Sequence, residues 1–520
     1  MMRITDGLLH HGAEHPEKLA IQMGSSKRTY GDLVASVRTI ASSVATLRES
    51  SQQFKTIDDP LTVQNLRPCV GLLLPNGVEF LETFLGTALA GGVAMVLNPE
   101  WPATQRQSML SRWIPDVLVQ SPSHHLWEQS DTLTDTSSGT STNTSSGDST
   151  TRLHLPLSGQ TPFYIGFTSG TTGTPKGVIR HHSSWVQSFQ SAQVEFAIEP
   201  DDQIWVPGSW VHSLSLYTAV ETLVNGATLH GMTAFTPKAI LRCLTQQPIT
   251  RIVAVPALLK AIAHVVSRKQ IHVPTLRTII SGGSKLSPDL RSQLQHLFPS
   301  ADIFEYYGAS ELSFISLASS REPIPPESVG RPFHGVDVSV RREDGTVAQP
   351  NEIGWIGIRS DMVCSGYLEA MDGTGFRVDE GWATVGDRGW LDEAGYLYLV
   401  GRERDMLIAN GINVYPAEIE AVLMSHPLID EAVVLGLPDD CRGDIICAVM
   451  TVNVDDPILE TKFDRSALST FLTKHLEPAK CPRQFFVTDA FPLTTSGKVN
   501  REELKRQILG RSPFLYSQIV

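Results

Sequence analysis

Apolar residues fall along this chain in short runs separated by glycine, proline and hydroxyl-rich punctuation, and the runs alternate between strand-like and helix-like spacing. Leu9 to Ile21, followed by Arg28-Thr29-Tyr30-Gly31-Asp32-Leu33, predicts a helix end, a short hairpin and a helix whose inner face carries Leu33, Val37, Ile40, Val44 and Leu47. Arg67 to Leu74 predicts a buried strand. A helix then starts near Asn76-Gly77-Val78 and returns through Phe84 and Ala88 to a second strand, Gly92 to Leu97, which makes a βαβ unit. Val117 to Val119 predicts a third strand. From Ile204 the alternation resumes: Pro207 to Ser213, an apolar helix through Leu214, Leu216, Tyr217, Val220 and Leu223 to Gly226, and a strand at Ala227 to Gly231. Further units follow at Pro237 to Leu244, Arg251 to Val255 and Pro256 to Val265. Leu276 to Ile280 leads into Ser281-Gly282-Gly283-Ser284, and Asp302 to Tyr306 leads into Tyr307-Gly308-Ala309-Ser310-Glu311. Both polar groups follow apolar strands, where α/β proteins place ligand sites.

Beyond Gly330 the pattern becomes a small sheet or barrel, closed by Gly381 to Asp387 and Tyr396 to Arg402. The charged stretch Glu403, Arg404, Asp405 is too polar for a core and marks the expected boundary. The expected organisation is therefore α/β: a large N-terminal domain of layered βαβ sheets at 1–402 and a smaller α+β lid at 403–520, hinged near 405. The lid should contain helices at Pro416 to Ser425 and Ser466 to Leu476 and a strand at Glu431 to Leu437. Residues 130–151 are almost entirely Ser, Thr, Gly, Asp and Asn, bury too little area to offset the cost of ordering, and read as a disordered excursion without assigned function.

At 520 residues the chain exceeds the usual size of one core, which agrees with a large unit and a small one. The formal charge of -13, with no concentrated basic cluster, argues against general nucleic-acid binding. The six cysteines are scattered without CxxC spacing, which fits reduced thiols and a cytoplasmic location better than disulfides or zinc. The N-terminus lacks a signal pattern, and the apolar window Phe80 to Leu97 is too broken by Glu82 and glycines to span a membrane.

The strongest chemical signal is Gly166 to Val178. Gly170, Gly173 and Gly177 permit tight backbone paths along which successive N–H groups can face one anion. Thr168, Ser169, Thr171, Thr172 and Thr174 add hydroxyls, and Lys176 adds a mobile positive charge. This is a polyphosphate grip. It is not a Walker A loop, because Lys176 is followed by Gly177 and not by the serine or threonine that would hold magnesium.

The stretch closely resembles the phosphate-binding signature of the adenylate-forming superfamily, which includes acyl-CoA synthetases, the adenylation domains of peptide synthetases, and luciferases. Later motifs continue the resemblance in order: Tyr307 to Glu311, Gly386-Asp387 with Val385 in place of a threonine, Gly401-Arg402 with Asp405, and Pro492 to Arg501. It implies ATP, Mg2+ and CoA as ligands. Pyrophosphate departure requires charge neutralisation on the leaving group, which the loop at 168–177 meets, and on the α-phosphoryl oxygens, which the resemblance assigns to Lys498 on a mobile C-terminal domain. Glu311 is the expected magnesium ligand, because a carboxylate beside ATP otherwise adds repulsion. Asp387 and Arg402 are expected at the ribose. Tyr307 is expected to stack on adenine with Gly282 and Gly283 along the base edge, Gly308 belongs to the same strip, and Ser310 keeps the hydroxyl expected at the α-phosphate. Gly411 is expected to border a pantetheine tunnel.

Ser209 to Leu214 contains no acid to hold a substrate ammonium, so an amino acid is a poor candidate substrate, and His212 matches the histidine that lines the carboxylate site in acyl- and aryl-CoA ligases. The acyl pocket is expected to draw on Trp210, Val211, Leu214 and Tyr217, with Gly283 and Phe314 to Leu317. Its apolar tone favours a fatty or other hydrophobic carboxylate. The alternatives are an aryl-CoA ligase, transfer to a separate acyl carrier protein, and a catalytically silent nucleotide-binding scaffold. The expected partners are thus the small-molecule acid, ATP and CoA. Oligomeric state is not legible.

Overall fold

The computed structural model describes residues 3–50, 66, 68–121, 158–168, 175–368, 375–402, 406–409, 412–439, 443–452, 465–477, 480–494, 498–510 and 516–518. The serine- and threonine-rich stretch at 130–151 lies outside them, as does the expected hinge at 403–405. The chain has a large α/β part of layered sheets and a smaller α+β part towards its C-terminus. By contacts it divides into two compact units: Met1–Ile324 with Pro332–Asp337 and Arg359–Ala383, and Pro325–Arg331 with Val338–Ile358 and Thr384–Val520.

The first unit contains two sheets. In one, strands run in the order Ser313–Ser319, Asp302–Ala309, Thr278–Ser281, Arg251–Ala254, Gln203–Trp205, Thr228–Gly231, Leu19–Met23, Ser26–Thr29. The interior neighbours are parallel and the strands at either end are paired antiparallel. The other runs Gly366–Tyr367, Lys176–His181, Pro162–Thr168, Val93–Val96, Cys69–Leu72, Val117–Val119. The interior strands are apolar on both faces because helices cover both, and they read as continuous hydrophobic runs.

Helix starts follow local chemistry. Thr236 and Ser287 accept bonds from Ala239 N and Leu290 N, and Pro237, Pro256 and Pro288 occupy first-turn positions where a missing N–H costs nothing. Helix Tyr30–Ser50 buries Leu33, Val37, Ile40 and Val44, the face expected from its periodicity. It packs on helix Val78–Leu89 at Gly86, where an added Cβ would lie 2.7 Å from Ile40.

The structure departs from expectation at the Tyr307 motif. The strand does not end at Tyr306 but continues through Ala309, because Tyr307, Gly308 and Ala309 pair antiparallel with Ser316, Phe314 and Ser313. The register shifts between Tyr307 and Gly308, and a Cβ on Gly308 would sit 2.2 Å from the Ser313 carbonyl oxygen, so the turn requires glycine there.

In the second unit, Asp387–Leu391 pairs antiparallel with both Gly354–Arg359 and Leu397–Arg402. Further along, Ile429–Asp439 and Gly443–Val452 form a long antiparallel pair that continues into Gln484–Val487. Val434 faces Ile419, Leu423 and Leu472, while Val433, Leu435 and Leu437 face Leu504 and Ile508, so strand alternation supplies two cores from one strand. Helices Pro416–Met424 and Arg465–Leu472 lie where the pattern placed them, the second ending four residues early.

Candidate functional site

In the first unit the phosphate loop is the connection of an antiparallel hairpin. Thr168 pairs with Lys176 across it, Phe167 with Gly177, and Gly166 with Val178, so both ends of the loop are pinned by sheet bonds. Ser169, Gly170, Thr171, Thr172 and Gly173 lie outside the described residues. Lys176 is buried, and its ammonium lies 5.4 Å from the centre of the Tyr367 ring.

Glu311 is buried and held at both ends. Its backbone carbonyl accepts from Arg180 Nη1 at 3.2 Å and from Cys364 N at 2.8 Å, and its Oε1 accepts from the Tyr367 hydroxyl at 2.7 Å. Burial, then the Glu311 charge and hydrogen bond, push the Tyr367 hydroxyl well above its ordinary pKa, so it stays a donor to this carboxylate. Arg180 also donates to the Ser313 hydroxyl, and its Nε has no partner among the described residues.

Ser310, beside Glu311, meets Ser213 hydroxyl to hydroxyl at 2.9 Å. Ser213 opens helix Ser213–Val224, whose N-cap is His212, and the His212 side chain makes no capping bond. The Tyr307 motif and the His212 motif therefore converge on one point, with the positive end of a helix dipole facing it.

Tyr307 sits on its strand opposite Ser316 and is half-buried. Its neighbour Tyr306 is the one against Gly282, where an added Cβ would lie 2.5 Å from the ring. Gly283 adopts φ +90, a conformation that favours glycine.

The four expected pocket residues separate. Trp210 is fully buried against Phe80, with ring centroids 6.2 Å apart, and its backbone N–H donates to Asn76 Oδ1 at 2.7 Å. Val211 is buried and Leu214 half-buried. Tyr217 belongs to a different wall, with ring centroids 5.4 Å from Trp185, 5.1 Å from Phe189 and 5.4 Å from Phe314. That wall is not wholly apolar: the Tyr217 hydroxyl donates to Glu221 Oε1 at 3.2 Å, and burial pushes the Glu221 carboxyl up to about 8. A cleft of about 240 Å³ lined by Met23, Leu74, Val78, Phe80 and Thr233 lies beside Asn76 and includes none of Lys176, His212 or Glu311.

In the second unit Asp387 and Arg402 face each other across adjacent strands, and Arg402 Nε donates to Asp387 Oδ1 at 2.7 Å. Val385 is buried at the expected threonine position, and the preceding Thr384 supplies a hydroxyl that accepts from Gly386 N at 3.1 Å. Lys498 ends a turn in which its N–H donates to Thr494 Oγ1 and its carbonyl accepts from Thr494 N, leaving the side chain exposed. Gly411 lies outside the described residues.

The sequence reading missed Tyr367, Arg180 and Glu221. The last two were visible as charges inside apolar runs, whereas Gly366-Tyr367 carries no local signal. Among the described residues no cluster of three or more His, Cys, Asp or Glu could cage a metal, and no helix is long and apolar enough to cross a membrane. One carboxylate with open lone pairs suits Mg2+, which is ordinarily held by one or two carboxylates together with substrate phosphates and water.

Residues 8–368 match the AMP-binding enzyme model and residues 418–498 the AMP-binding enzyme C-terminal domain. The acyl-CoA ligase YhfT of Bacillus subtilis, itself uncharacterized, is 32% identical over 510 residues, covering 97% of this chain and 98% of that one. The Mycobacterium tuberculosis fatty acyl CoA synthetase structure superposes with a TM-score of 0.71 at 26% identity, covering 98% and 99% of the two chains. The o-succinylbenzoate CoA synthetase MenE of Bacillus subtilis, solved with its acyl-adenylate, superposes with a TM-score of 0.74 at 23% identity, covering 96% and 98%.

Proposed function

The chain belongs to the AMP-binding enzyme family, and from that premise we propose how it works as an ATP-dependent, AMP-forming acid–CoA ligase on a hydrophobic acid. In the first half-reaction a carboxylate oxygen of the acid bonds to the α-phosphorus of ATP while the bond to the bridging oxygen breaks and pyrophosphate leaves. In the second, the CoA thiol gives up its proton and its sulfur bonds to the acyl carbonyl carbon while the bond from that carbon to the bridging oxygen breaks, so that AMP leaves carrying the oxygen that came from the acid.

The observation that carries the reading is the Ser310–Ser213 hydroxyl contact at 2.9 Å, which joins the motif containing Glu311 to the helix end containing His212. A carboxylate there meets hydroxyls and the positive end of a helix, as an attacking anion requires. Lys176 and the loop at 168–174 neutralise the departing pyrophosphate. Glu311 offers its carboxylate to Mg2+, which when bound supplies charge neutralisation on the phosphates. Tyr307, with Gly282, Gly283 and Gly308, forms the adenine strip, and Asp387 and Arg402 hold the ribose. Lys498 serves adenylation and Gly411 borders the pantetheine path. The chain divides functionally near 402–405, and it works in the cytoplasm.

For the acid, resemblance to the mycobacterial fatty acyl CoA synthetase supports a fatty substrate. The cluster of Trp185, Phe189, Tyr217 and Phe314, whose rings meet edge to face or tilted, supports a second reading, an aromatic acid, because such a wall favours aromatic partners and the Tyr217–Glu221 pair adds a polar point. Thioester formation with CoA across matched fatty and aromatic acids separates the two. Efficient transfer only to an acyl carrier protein would replace CoA as the acceptor.

A further inference from the structure

We propose that Tyr367 is a positioning residue that couples the phosphate-gripping lysine to the metal-ligating glutamate; the proposal rests on the roles given above to Lys176 and Glu311. Gly366–Tyr367 is a two-residue strand laid antiparallel along Lys176–His181, with Gly366 opposite Ile179 and Tyr367 opposite Val178. It is fastened on both sides: Ser365 N donates to Ile179 O at 2.9 Å, and Leu368 N donates to Gly177 O at 2.7 Å. One residue earlier, Cys364 N donates to the Glu311 carbonyl at 2.8 Å. The backbone of 364–368 thus ties the strand that begins at Lys176 to the turn that carries Glu311.

The side chain of Tyr367 completes the tie. Its hydroxyl donates to Glu311 Oε1 at 2.7 Å, which commits that oxygen and leaves Oε2 to serve a hard cation. Its ring lies 5.4 Å from the Lys176 ammonium, close enough for a cation–π contact that orients the amine without cancelling its charge. A carboxylate in the same place would neutralise the lysine and compete with phosphate. Space around the ring is tight: a Cβ on Gly375 would lie 3.2 Å from the Tyr367 hydroxyl and 3.4 Å from Lys176 Nζ. Partners that hold a metal-ligating side chain typically change metal affinity by about 10- to 100-fold when removed.

The two contacts separate by mutation. Tyr367→Phe removes the hydroxyl and keeps the ring; Tyr367→Leu removes both. Calorimetric titration with ATP in EDTA and with ATP plus Mg2+, supported by electron paramagnetic resonance of Mn2+ in the ternary complex, reads metal binding apart from turnover. Tyr367→Phe should weaken the metal-dependent part of ATP binding by about 10- to 100-fold, leave metal-free ATP affinity within about twofold, and recover pyrophosphate exchange at high Mg2+. Tyr367→Leu should also weaken metal-free ATP binding. Wild-type metal dependence in a folded Tyr367→Phe variant overturns the proposal, as do equal losses with and without metal. Glu311→Gln distinguishes the layers: if it shifts metal dependence while Tyr367→Phe does not, the coupling fails alone, and if it shifts nothing, the metal role of Glu311 fails first.

Discussion

Glu221 offers a prediction whose sign and size follow from its surroundings. It lies on the inner face of helix Ser213–Val224, is 3% exposed, and accepts a hydrogen bond from Tyr217. Burial raises its pKa from 4.5 to about 8, with the Tyr217 hydrogen bond and the Arg251 charge pulling the other way. In the unfolded chain the carboxyl ionises at its ordinary value, so between those two points the folded state holds a proton that the unfolded state has released. Stability from this group is therefore fully present below about pH 4.5 and is lost as pH rises through about 8. At about 1.4 kcal/mol per pKa unit, the change across the window is on the order of a few kcal/mol. Glu221→Gln keeps the shape and cannot titrate, so the variant should match wild type near pH 5 and become the more stable of the two by pH 8.5. Urea unfolding at pH 5.5, 7 and 8.5, followed by tryptophan fluorescence, measures the difference. A wild-type-to-variant difference that stays constant over this range would refute the reasoning.

The remaining predictions concern the two half-reactions and one buried ion pair. Lys498→Ala should slow adenylation by at least about 100-fold and still convert supplied acyl-adenylate to thioester, because its interaction belongs to the first transition state; equal losses in both single-turnover assays contradict this. Gly411→Leu should show the opposite defect, with pyrophosphate release intact. Arg251 and Asp202 are buried, and Arg251 donates to Asp202 Oδ2 at 2.6 Å and to the carbonyls of Phe196 and Ala197, so Arg251→Met should cost about 3–5 kcal/mol by urea unfolding. The double variant with Asp202→Asn should lose less than the sum of the single losses, because the two residues belong to one network, in which Arg277 also donates to Asp202 Oδ1 at 2.8 Å.

Much of the fold was legible because local chemistry and tertiary demand agree. Leu33, Val37, Ile40 and Val44 repeat at helical spacing and are all buried, and prolines stand at helix starts. The order of motifs placed Glu311 and His212 in one chemistry, and Ser310 and Ser213 meet in space. Legibility failed where a partner lies far along the chain. Arg180 is a charge in an apolar strand, but its carbonyl partner on Glu311 is 131 positions away. The strand through Tyr307 and Ala309 was hidden because glycine and serine signal a turn, whereas the antiparallel partner Ser313–Ser319 extends the pairing. Gly282 packs against the Tyr306 ring, a neighbour from the adjacent strand that its own stretch of sequence does not announce. Tyr367 carries no periodic or compositional mark, and only the pairing of Gly366–Tyr367 with Lys176–His181 brings it to Glu311.

Acid-dependent exchange of labelled pyrophosphate into ATP, followed by addition of CoA and mass detection of the thioester, tests the central claim most directly. The account predicts that exchange needs both Mg2+ and a hydrophobic carboxylic acid, that AMP and not ADP accumulates once CoA is added, and that the acyl-CoA product carries the acid supplied. Tight ATP binding with no exchange for any fatty or aromatic acid in the panel, by protein shown to be folded, would contradict it.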